Sequence, residues 1–273
     1  MRLRPWRRPE PRWQRALITG ASAGIGEAFA HRLAGQGTDL VLVARRHERL
    51  AQLADRLGGD CGHGVKVETL VADLSDRHDR QRVVQRLTAA DDPIDLLVNN
   101  AGSGSVGHFI DQDADHEAAM IDVNIGAAHR LAHAAGGAMA NRNGGGILNV
   151  SSIAGFSPSP RSATYGATKA FVTSLSEALS VELAPRGVTV TCLCPGLTRT
   201  EFHDNADYRP RALPAFFWQS PDRVAEAGLS GMAAGRVIVV PGVLNKLTAG
   251  LAAIVPGAVG RRVAGALAAA NGK

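Results

Sequence analysis

Short apolar runs alternate with longer segments of helical periodicity between residue 15 and about residue 240. The runs are rich in Val, Ile and Leu without polar alternation, which is typical of strands buried on both faces. Seven strands are predicted, at Ala16–Thr19, Leu40–Ala44, Lys66–Val71, Ile94–Asn99, Gly146–Val150, Val188–Cys194 and Val237–Val240. Six helices are predicted near residues 25–35, 46–57, 76–90, 114–141, 165–184 and 222–234.

This alternation predicts an α/β fold, with a single doubly wound parallel sheet and helices on both faces. No internal repeat or linker divides the alternating region, so we expect one domain over residues 14–242. A basic extension precedes it at residues 1–13, and an apolar, basic tail follows at residues 243–273.

The net charge of +5 is unevenly distributed over the 273 residues. Residues 1–15 carry +5, residues 16–226 carry −5, and the residues after Glu226 carry +5. An acidic body between two basic ends argues against nucleic-acid binding, so we expect no nucleic-acid partner.

Cysteine content and the tail limit the class of protein further. Three cysteines in a chain of this length do not form a disulfide framework, and their spacing does not suggest zinc, so we expect no metal. The longest uncharged stretch of the tail, residues 247–260, is too short to span a bilayer. No apolar run precedes Ala16, so we expect no signal peptide and a cytoplasmic protein.

A glycine-rich turn joins the first predicted strand to the first predicted helix. Glycines at positions 20, 24 and 26 permit a tight turn, close approach of a pyrophosphate, and close packing of helix on strand. The helix N-terminus directs free N–H groups and its positive dipole end at the phosphates. The strand before this turn and the helix after it favour dinucleotide binding over an ordinary turn.

The end of the second strand bears on the choice of dinucleotide. An acidic residue there would bind the ribose 2′-hydroxyl of NAD, but this chain has Arg45 and Arg46. A guanidinium binds a 2′-phosphate with charge-assisted, bidentate hydrogen bonds. Arg45, nearest the strand, is therefore assigned to the phosphate, and NADP(H) is predicted over NAD(H). The alternative is that both arginines begin a solvated helix.

One tyrosine of the chain lies in a pattern suited to acid–base chemistry. Tyr165 and Lys169 are four residues apart and share a helix face. A nearby ammonium, or an oxidised nicotinamide, favours the phenolate and lowers the tyrosine pKa. Ser152 follows the fifth strand, at the edge where open α/β sheets bind ligands, and its hydroxyl suits a substrate carbonyl. Ser151 competes for this role.

Taken together, these motifs resemble those of the short-chain dehydrogenase/reductase family, whose catalytic domain is a Rossmann fold. The matching elements are Thr-Gly-x-x-x-Gly-x-Gly at 19–26, Asn-Asn-Ala-Gly at 99–102, Ser152, Tyr165-x-x-x-Lys169 and Pro195-Gly196. They occur in the family's order over about residues 14–242.

The resemblance implies a catalytic tetrad of Asn124, Ser152, Tyr165 and Lys169. It also implies a cofactor site formed by Gly20, Ser22, Ala23, Gly24, Ile25, Gly26, Arg45, Asp73, Leu74, Asn100, Ala101, Gly102, Tyr165, Lys169, Pro195, Gly196, Thr198 and Thr200. Asn99 matches a position whose role is structural at least as often as it is cofactor contact.

The same resemblance implies a mechanism. Hydride passes between nicotinamide C4 and a carbonyl carbon while Tyr165 protonates the oxygen that Ser152 orients. Lys169 holds the nicotinamide ribose and lowers the pKa of Tyr165, and Asn124 holds a water in a proton relay. Ser152 lies thirteen residues before Tyr165, the usual separation in the family, which favours it over Ser151.

The segment after Gly196 is a substrate lid in this family, and here it is rich in aromatic residues. Phe202, Tyr208, Phe216, Phe217 and Trp218 favour an apolar substrate that is lipid-like, steroid-like or aromatic, although some of them are expected to pack the lid onto the body. Phe109 and Phe156 complete the expected pocket wall. His203 and Arg199 are candidates for a substrate anion.

Assembly and competing functions stay open. The family's dimer helices correspond to residues 114–141 and 165–184, so a homodimer is expected. The tail either covers the pocket, pads the dimer or contacts an anionic membrane surface peripherally. A non-catalytic NADP(H)-binding regulatory protein is the alternative function, and an NADP-dependent dehydratase or epimerase is a third. No Gly-x-Ser-x-Gly elbow surrounds Ser151 or Ser152, which sets aside a serine hydrolase.

Overall fold

The structure is a computed structural model that describes residues 12–60, 64–202, 214, 217–254, 262 and 265. Within these ranges the strands are Arg15–Thr19 (β1), Asp39–Ala44 (β2), Val67–Val71 (β3), Leu96–Asn99 (β4), Gly145–Val150 (β5), Val188–Leu193 (β6) and Ile238–Val239 (β7). The helices are Gly24–Gly35 (α1), His47–Asp60 (α2), Arg77–Thr88 (α3), Ala114–Ile121 (α4), Ala128–Asn141 (α5), Ala163–Leu183 (α6), Pro221–Ala233 (α7) and Val243–Ile254 (α8).

All seven described strands are parallel and form one sheet in the order β3-β2-β1-β4-β5-β6-β7. The strand order reverses between β1 and β4, which creates a topological switch point. Open α/β sheets bind ligands at such a point, outside the carboxyl ends of the strands. The glycine-rich turn follows β1, so the fold places it at this crevice.

Helices cover both faces of the sheet. On one face α1, α2 and α7 bury an apolar cluster that includes Phe29, Leu53 and Val224, and on the other α3, α5 and α6 pack over Leu17, Val41 and Ile147. Burial of a side chain such as Phe29, which is fully inaccessible to solvent, stabilises the fold by about 2–3 kcal/mol. The predicted doubly wound parallel sheet of a Rossmann fold is confirmed.

The single helix predicted over residues 114–141 is wrong in one respect. A π-helical segment, Asp122–Ala127, interrupts it between α4 and α5. Periodicity did not reveal this change, because one widened turn shifts the apolar face only slightly. The segment carries Asn124, which is buried.

The carboxyl-terminal part of the described chain is helical. Asn245, in α8, donates hydrogen bonds to the Pro241 carbonyl oxygen and the Gln219 side-chain oxygen, so α8 is fastened beside β7. None of the helices in the described ranges is long and apolar enough to cross a bilayer.

A candidate active site at the carboxyl edge of the sheet

The glycine-rich turn after β1 is closely packed. Gly20 and Gly24 have φ angles of +66° and +60°, which favour glycine. A Cβ atom on Gly24 would lie 2.9 Å from the Thr200 methyl carbon, and one on Gly26 would collide with the Gly20 carbonyl oxygen. The turn can therefore keep this shape only with glycine at these positions.

Hydrogen bonds join this turn to the segment after β4. The Thr19 hydroxyl oxygen accepts the backbone N–H groups of Asn100 and Ala101, both at 3.0 Å. The Asn100 side-chain amide donates to the Thr19 and Gly20 carbonyl oxygens at 2.9 and 3.3 Å. The predicted cofactor residues 20–26 and 100–102 thus form one continuous surface.

Asn99 points away from this surface. Its side-chain amide donates to the Ala128 carbonyl oxygen and to the Asn149 side-chain oxygen, both at 3.0 Å. Asn149 in turn donates to the hydroxyl of Ser176 at 2.9 Å. These buried contacts tie β4 and β5 to α5 and α6, which is a structural role.

Helix α6 places Tyr165 and Lys169 on one face, as their spacing predicts. The Lys169 Nζ lies 5.7 Å from the centre of the Tyr165 ring and donates a 3.0 Å hydrogen bond to the Val150 carbonyl oxygen. A Cβ atom on Gly102 would lie 3.4 Å from this Nζ. Lys169 therefore lies between the end of β5 and the segment after β4, which is hydrogen-bonded to the glycine-rich turn.

The pKa values of these two groups respond mainly to burial. Removal from water raises the pKa of Tyr165 to about 12, and the Ser152 side chain opposes this shift. Burial lowers the pKa of Lys169 to about 8, whereas the nearby sulfurs of Cys192 and Cys194 raise it. The lowering of the Tyr165 pKa that was expected from Lys169 is not seen in this structure, in which desolvation of the phenolate is the largest influence.

The two serines after β5 have different environments. The Ser151 hydroxyl is buried, donates to the Lys169 carbonyl oxygen at 2.8 Å and lies 2.8 Å from the Thr173 hydroxyl. The Ser152 side chain interacts with the Tyr165 phenol, and its oxygen also accepts the Ala154 N–H at 3.2 Å. Of the two, only Ser152 faces the tyrosine.

Asn124 joins this group from the π-helical segment. Its side-chain amide donates to the Ser103 carbonyl oxygen and the Thr168 hydroxyl, and its side-chain oxygen accepts the Ser103 N–H. That oxygen lies 3.1 Å from the position of a Cβ atom on Gly102. The four predicted catalytic residues thus converge beside the glycine-rich turn, at the carboxyl edge of the sheet.

A family model described as short chain dehydrogenase matches residues 14–210, well over half of the chain. The chain belongs to the short-chain dehydrogenase family. It is therefore an oxidoreductase of the NAD(P)-dependent type that interconverts alcohols and carbonyl compounds. The predicted family and enzyme class are confirmed.

Similar proteins cover most of the chain. An uncharacterized oxidoreductase of Staphylococcus saprophyticus is 35% identical over 214 residues, which are 78% of this chain and 88% of that protein. A short-chain dehydrogenase from Sphingobium yanoikuyae in complex with NADPH is 38% identical, with a TM-score of 0.79 over 89% of this chain and 97% of that one. A bulky-bulky ketone specific alcohol dehydrogenase from Comamonas testosteroni is 34% identical, with a TM-score of 0.74 over 90% and 96%.

The glycine-rich turn of this short-chain dehydrogenase fits a dinucleotide. A cleft borders the start of α1 and is lined in part by Ala23, Gly24, Arg199 and Thr200. Side chains at the glycine positions would collide with Asn100, Thr200 or the Gly20 carbonyl oxygen, so glycine keeps the turn compact beside the N-terminus of α1, where N–H groups bind phosphates. These residues would hold the phosphates of the cofactor.

The arginines after β2 adopt different positions. The Arg45 side chain is 76% exposed, and its guanidinium lies 3.8 Å from the Asp73 carboxylate. The Arg46 side chain lies against the glycine-rich turn and donates from Nε and Nη2 to the Ser22 hydroxyl at 3.2 and 3.1 Å. It also donates to Glu201 at 2.7 Å. Sequence reasoning missed these contacts, because only the fold brings residue 201 to the end of β2.

Segment 195–202 closes the other side of the site. The buried Thr198 donates to the Gly196 carbonyl oxygen at 3.0 Å and pairs with Gln219 in an isolated bridge. The Phe202 ring lies 5.5 Å from the Tyr165 ring. Phe109 is 66% exposed, and Phe156, Phe217 and Trp218 are half-buried. The predictions for His203, Tyr208 and Phe216 lie outside the described residues.

Proposed function

We propose that this short-chain dehydrogenase is an NADP(H)-dependent enzyme that interconverts an apolar ketone or aldehyde and its alcohol, with Tyr165 as acid and base. Residues 14–242 are its catalytic unit. The observation that carries this proposal is the convergence of Asn124, Ser152, Tyr165 and Lys169 beside the glycine-rich turn.

The side chains have distinct roles in this reaction. The nicotinamide cofactor, when bound, supplies or accepts the hydride. In reduction, the Tyr165 O–H donates its proton to the carbonyl oxygen, and the Ser152 hydroxyl donates a hydrogen bond to that oxygen. Lys169 holds the ribose from its position beside Gly102 and favours the phenolate that forms. Asn124 holds residue 103 in place and positions a water that returns a proton towards Lys169.

The preference for NADP(H) rests on positive charge at the end of β2. Arg45, Arg46 and Arg49 surround the place where the adenosine ribose is expected, and Asp73 lies beyond Arg45. A 2′-phosphate gains charge-assisted hydrogen bonds here that a 2′-hydroxyl does not. The similar Sphingobium protein binds NADPH.

An apolar substrate is supported by the aromatic side chains near Tyr165. Phe202 packs against the Tyr165 ring, and its ring tip lies close to Gly104, which has no side chain to narrow the entrance. The similar Comamonas enzyme is a bulky-bulky ketone specific alcohol dehydrogenase. We extend that class, bulky apolar ketones, to this protein.

The test is NADPH consumption with a panel of bulky aromatic and alicyclic ketones, together with small polar ketones as controls. The proposal predicts turnover of bulky apolar ketones with NADPH and weaker turnover with NADH. The absence of turnover with every ketone while NADPH binds would instead support the non-catalytic alternative, which the assembled tetrad disfavours.

We further propose a cytoplasmic homodimer. Large apolar side chains are exposed on the two helices that the family resemblance assigns to a dimer interface: Ile121 of α4, and Phe171 and Val181 of α6, which are 45, 37 and 75% exposed. A second copy of the chain would bury them.

The carboxyl-terminal helix supports peripheral membrane contact. Val243, Leu247 and Leu251 of α8 are 75, 59 and 62% exposed, and no acidic residue follows Glu226. Helix α8 packs against the short helical turn Ile153–Gly155 that follows Ser152. We propose that this apolar, basic surface rests on an anionic bilayer next to the substrate entrance.

A further inference from the structure

Glu201 is held by two arginines at the end of the cofactor site. Its carboxylate oxygens accept hydrogen bonds from Arg46 at 2.7 Å and from Arg49 at 2.5 Å. These hydrogen bonds lower the pKa of Glu201 below its usual range. All three side chains are close to half exposed, so water reaches the cluster.

The neighbours of Glu201 in the chain contact two other parts of the site. Thr200 lies against Gly24 of the glycine-rich turn. The Phe202 ring lies 5.5 Å from the Tyr165 ring and would touch any side chain at position 104. Segment 200–202 therefore links the arginines after β2 to the cofactor turn and the catalytic tyrosine.

A 2′-phosphate bound at the end of β2 would need donors that Glu201 engages. The Arg46 guanidinium uses Nε and Nη2 for Ser22 and Nη1 for Glu201, so these donors are engaged in the structure. A phosphate monoester carries a charge of about −1.5 to −2 at neutral pH and offers three acceptor oxygens, so it attracts the arginines more strongly than a carboxylate does. Exposed ion pairs are weak, so this exchange is energetically accessible.

We propose that Glu201 tunes cofactor selectivity by competing with the 2′-phosphate for Arg46 and Arg49. NADP(H) displaces the Glu201 carboxylate and frees segment 200–202, whereas NAD(H), which has a hydroxyl at this position, leaves the carboxylate on the arginines. This inference rests on the NADP(H) use proposed above. Glu201 acts through the arginines and is a positioning residue.

Release of segment 200–202 also changes the surroundings of Tyr165, where the substrate binds. Phe202 moves with Glu201, so the Tyr165 ring, which is partly exposed in the structure, becomes more accessible when NADP(H) has bound. Because coupling between two sites is reciprocal, a substrate that displaces Phe202 also strengthens NADP(H) binding. The substrate site therefore opens further in protein that carries the phosphorylated cofactor.

The test compares the dissociation constants of NADPH and NADH for the full-length wild type and for Glu201→Gln, measured by isothermal titration calorimetry. The control is Glu226→Gln, because Glu226 is also an exposed glutamate paired with an arginine, Arg32 at 3.1 Å, but on α7. Removing two exposed ion pairs should lower the Kd of Glu201→Gln for NADPH by about threefold to tenfold. Its Kd for NADH and both values for Glu226→Gln should stay within about twofold of wild type.

An unchanged or raised Kd of Glu201→Gln for NADPH would overturn the competition, since the carboxylate would then be neutral or would support the arginines. Equal tightening of NADPH and NADH would also overturn it, because the effect would not depend on the 2′-phosphate. A wild type that binds NADH as tightly as NADPH would contradict the proposed cofactor preference itself, so the two failures are distinguishable.

Discussion

Ser151 and Ser152 follow the same strand, yet their hydroxyls have different surroundings. Ser151 bonds to the Lys169 carbonyl oxygen and Thr173, and Ser152 faces Tyr165. Ser152→Ala should therefore lower kcat/KM by about 10²–10³ without a large change in melting temperature, as loss of one oxyanion donor does.

The matched variant Ser151→Ala should show the opposite pattern. It removes a buried hydroxyl that donates to the Lys169 carbonyl oxygen and lies beside the Thr173 hydroxyl, which costs about 1 kcal/mol of folding free energy and lowers Tm by a few degrees. Kinetics and thermal unfolding of both variants check this pair. A larger loss of turnover in Ser151→Ala than in Ser152→Ala would reverse the assignment.

The raised pKa of Tyr165 determines how the rates of carbonyl reduction and alcohol oxidation depend on pH. With a pKa near 12, the Tyr165 phenol keeps its proton at neutral pH. Carbonyl reduction needs this protonated form as its acid, whereas alcohol oxidation needs the phenolate as its base. The rate of alcohol oxidation should rise with pH, by up to about tenfold per unit below the operative pKa. Reduction should vary little between about pH 6 and 8. Initial rates in both directions would measure this, and oxidation that slows from pH 6 to pH 9 would contradict it.

At the scale of single residues, the sequence predicted that the catalytic side chains would lie together, but it did not predict all of their hydrogen-bond and ion-pair partners. Tyr165 and Lys169 were predictable because four residues are about one helical turn. Glu201 and Arg46 were not, because they are 155 residues apart and nothing local joins them. The pKa of Tyr165 depends on burial, which follows from packing around the ring rather than from the Tyr-x-x-x-Lys spacing.

Helix α1 contains two glycines that serve as a matched pair of test sites, because one is closely packed and the other faces open space. Gly26→Ala should weaken NADPH binding by at least about tenfold and lower Tm, because its Cβ would collide with the Gly20 carbonyl oxygen and push α1 from β1. At the end of the same helix, a Cβ atom on Gly35 would have no atom of the described residues within 4 Å, so Gly35→Ala should be neutral or slightly stabilising.

Cofactor titration and thermal unfolding of the two variants test this account of the turn. Equal effects at both positions would show that helix propensity, rather than the close approach at Gly26, governs the result. The strand–glycine–helix pattern made this element predictable. The π-helical segment that carries Asn124 was not, because its apolar positions also fit an ordinary α-helix.

At the scale of the whole molecule, the basic residues at the two ends of the chain have different places in the fold. Arg15, which the charge count places with the basic amino-terminal end, belongs to β1 and pairs with Asp39 and Asp92, both at 3.0 Å. In the carboxyl-terminal surplus, Arg236 precedes the exposed apolar helix α8, Lys246 lies within it, and three basic residues follow it. The alternation of strands and helices predicted the sheet, but it could not show which side chains of α8 face solvent.

The exposed face of α8 leads to a prediction about location. Full-length protein should float with vesicles that contain anionic phosphatidylserine and bind less to pure phosphatidylcholine vesicles. Leu247→Asp/Leu251→Asp should abolish flotation, whereas Gln52→Asp/Gln85→Asp, which adds the same charge on exposed faces of α2 and α3, should retain most of it. Flotation that the leucine variant retains would exclude this face as the contact. An unchanged molecular mass by light scattering would separate loss of membrane binding from loss of the dimer.

The central claim is that Tyr165 protonates a carbonyl while hydride arrives from the cofactor, and isotope transfer measures it most directly. NADPH deuterated at the transferred position of C4 should yield an alcohol with one deuterium on the former carbonyl carbon of a bulky ketone, detected by mass spectrometry. Tyr165→Phe should form this product about 10²–10⁴ times more slowly, while its Kd for NADPH stays within about threefold. Deuterium transfer by Tyr165→Phe at the wild-type rate would contradict the claim.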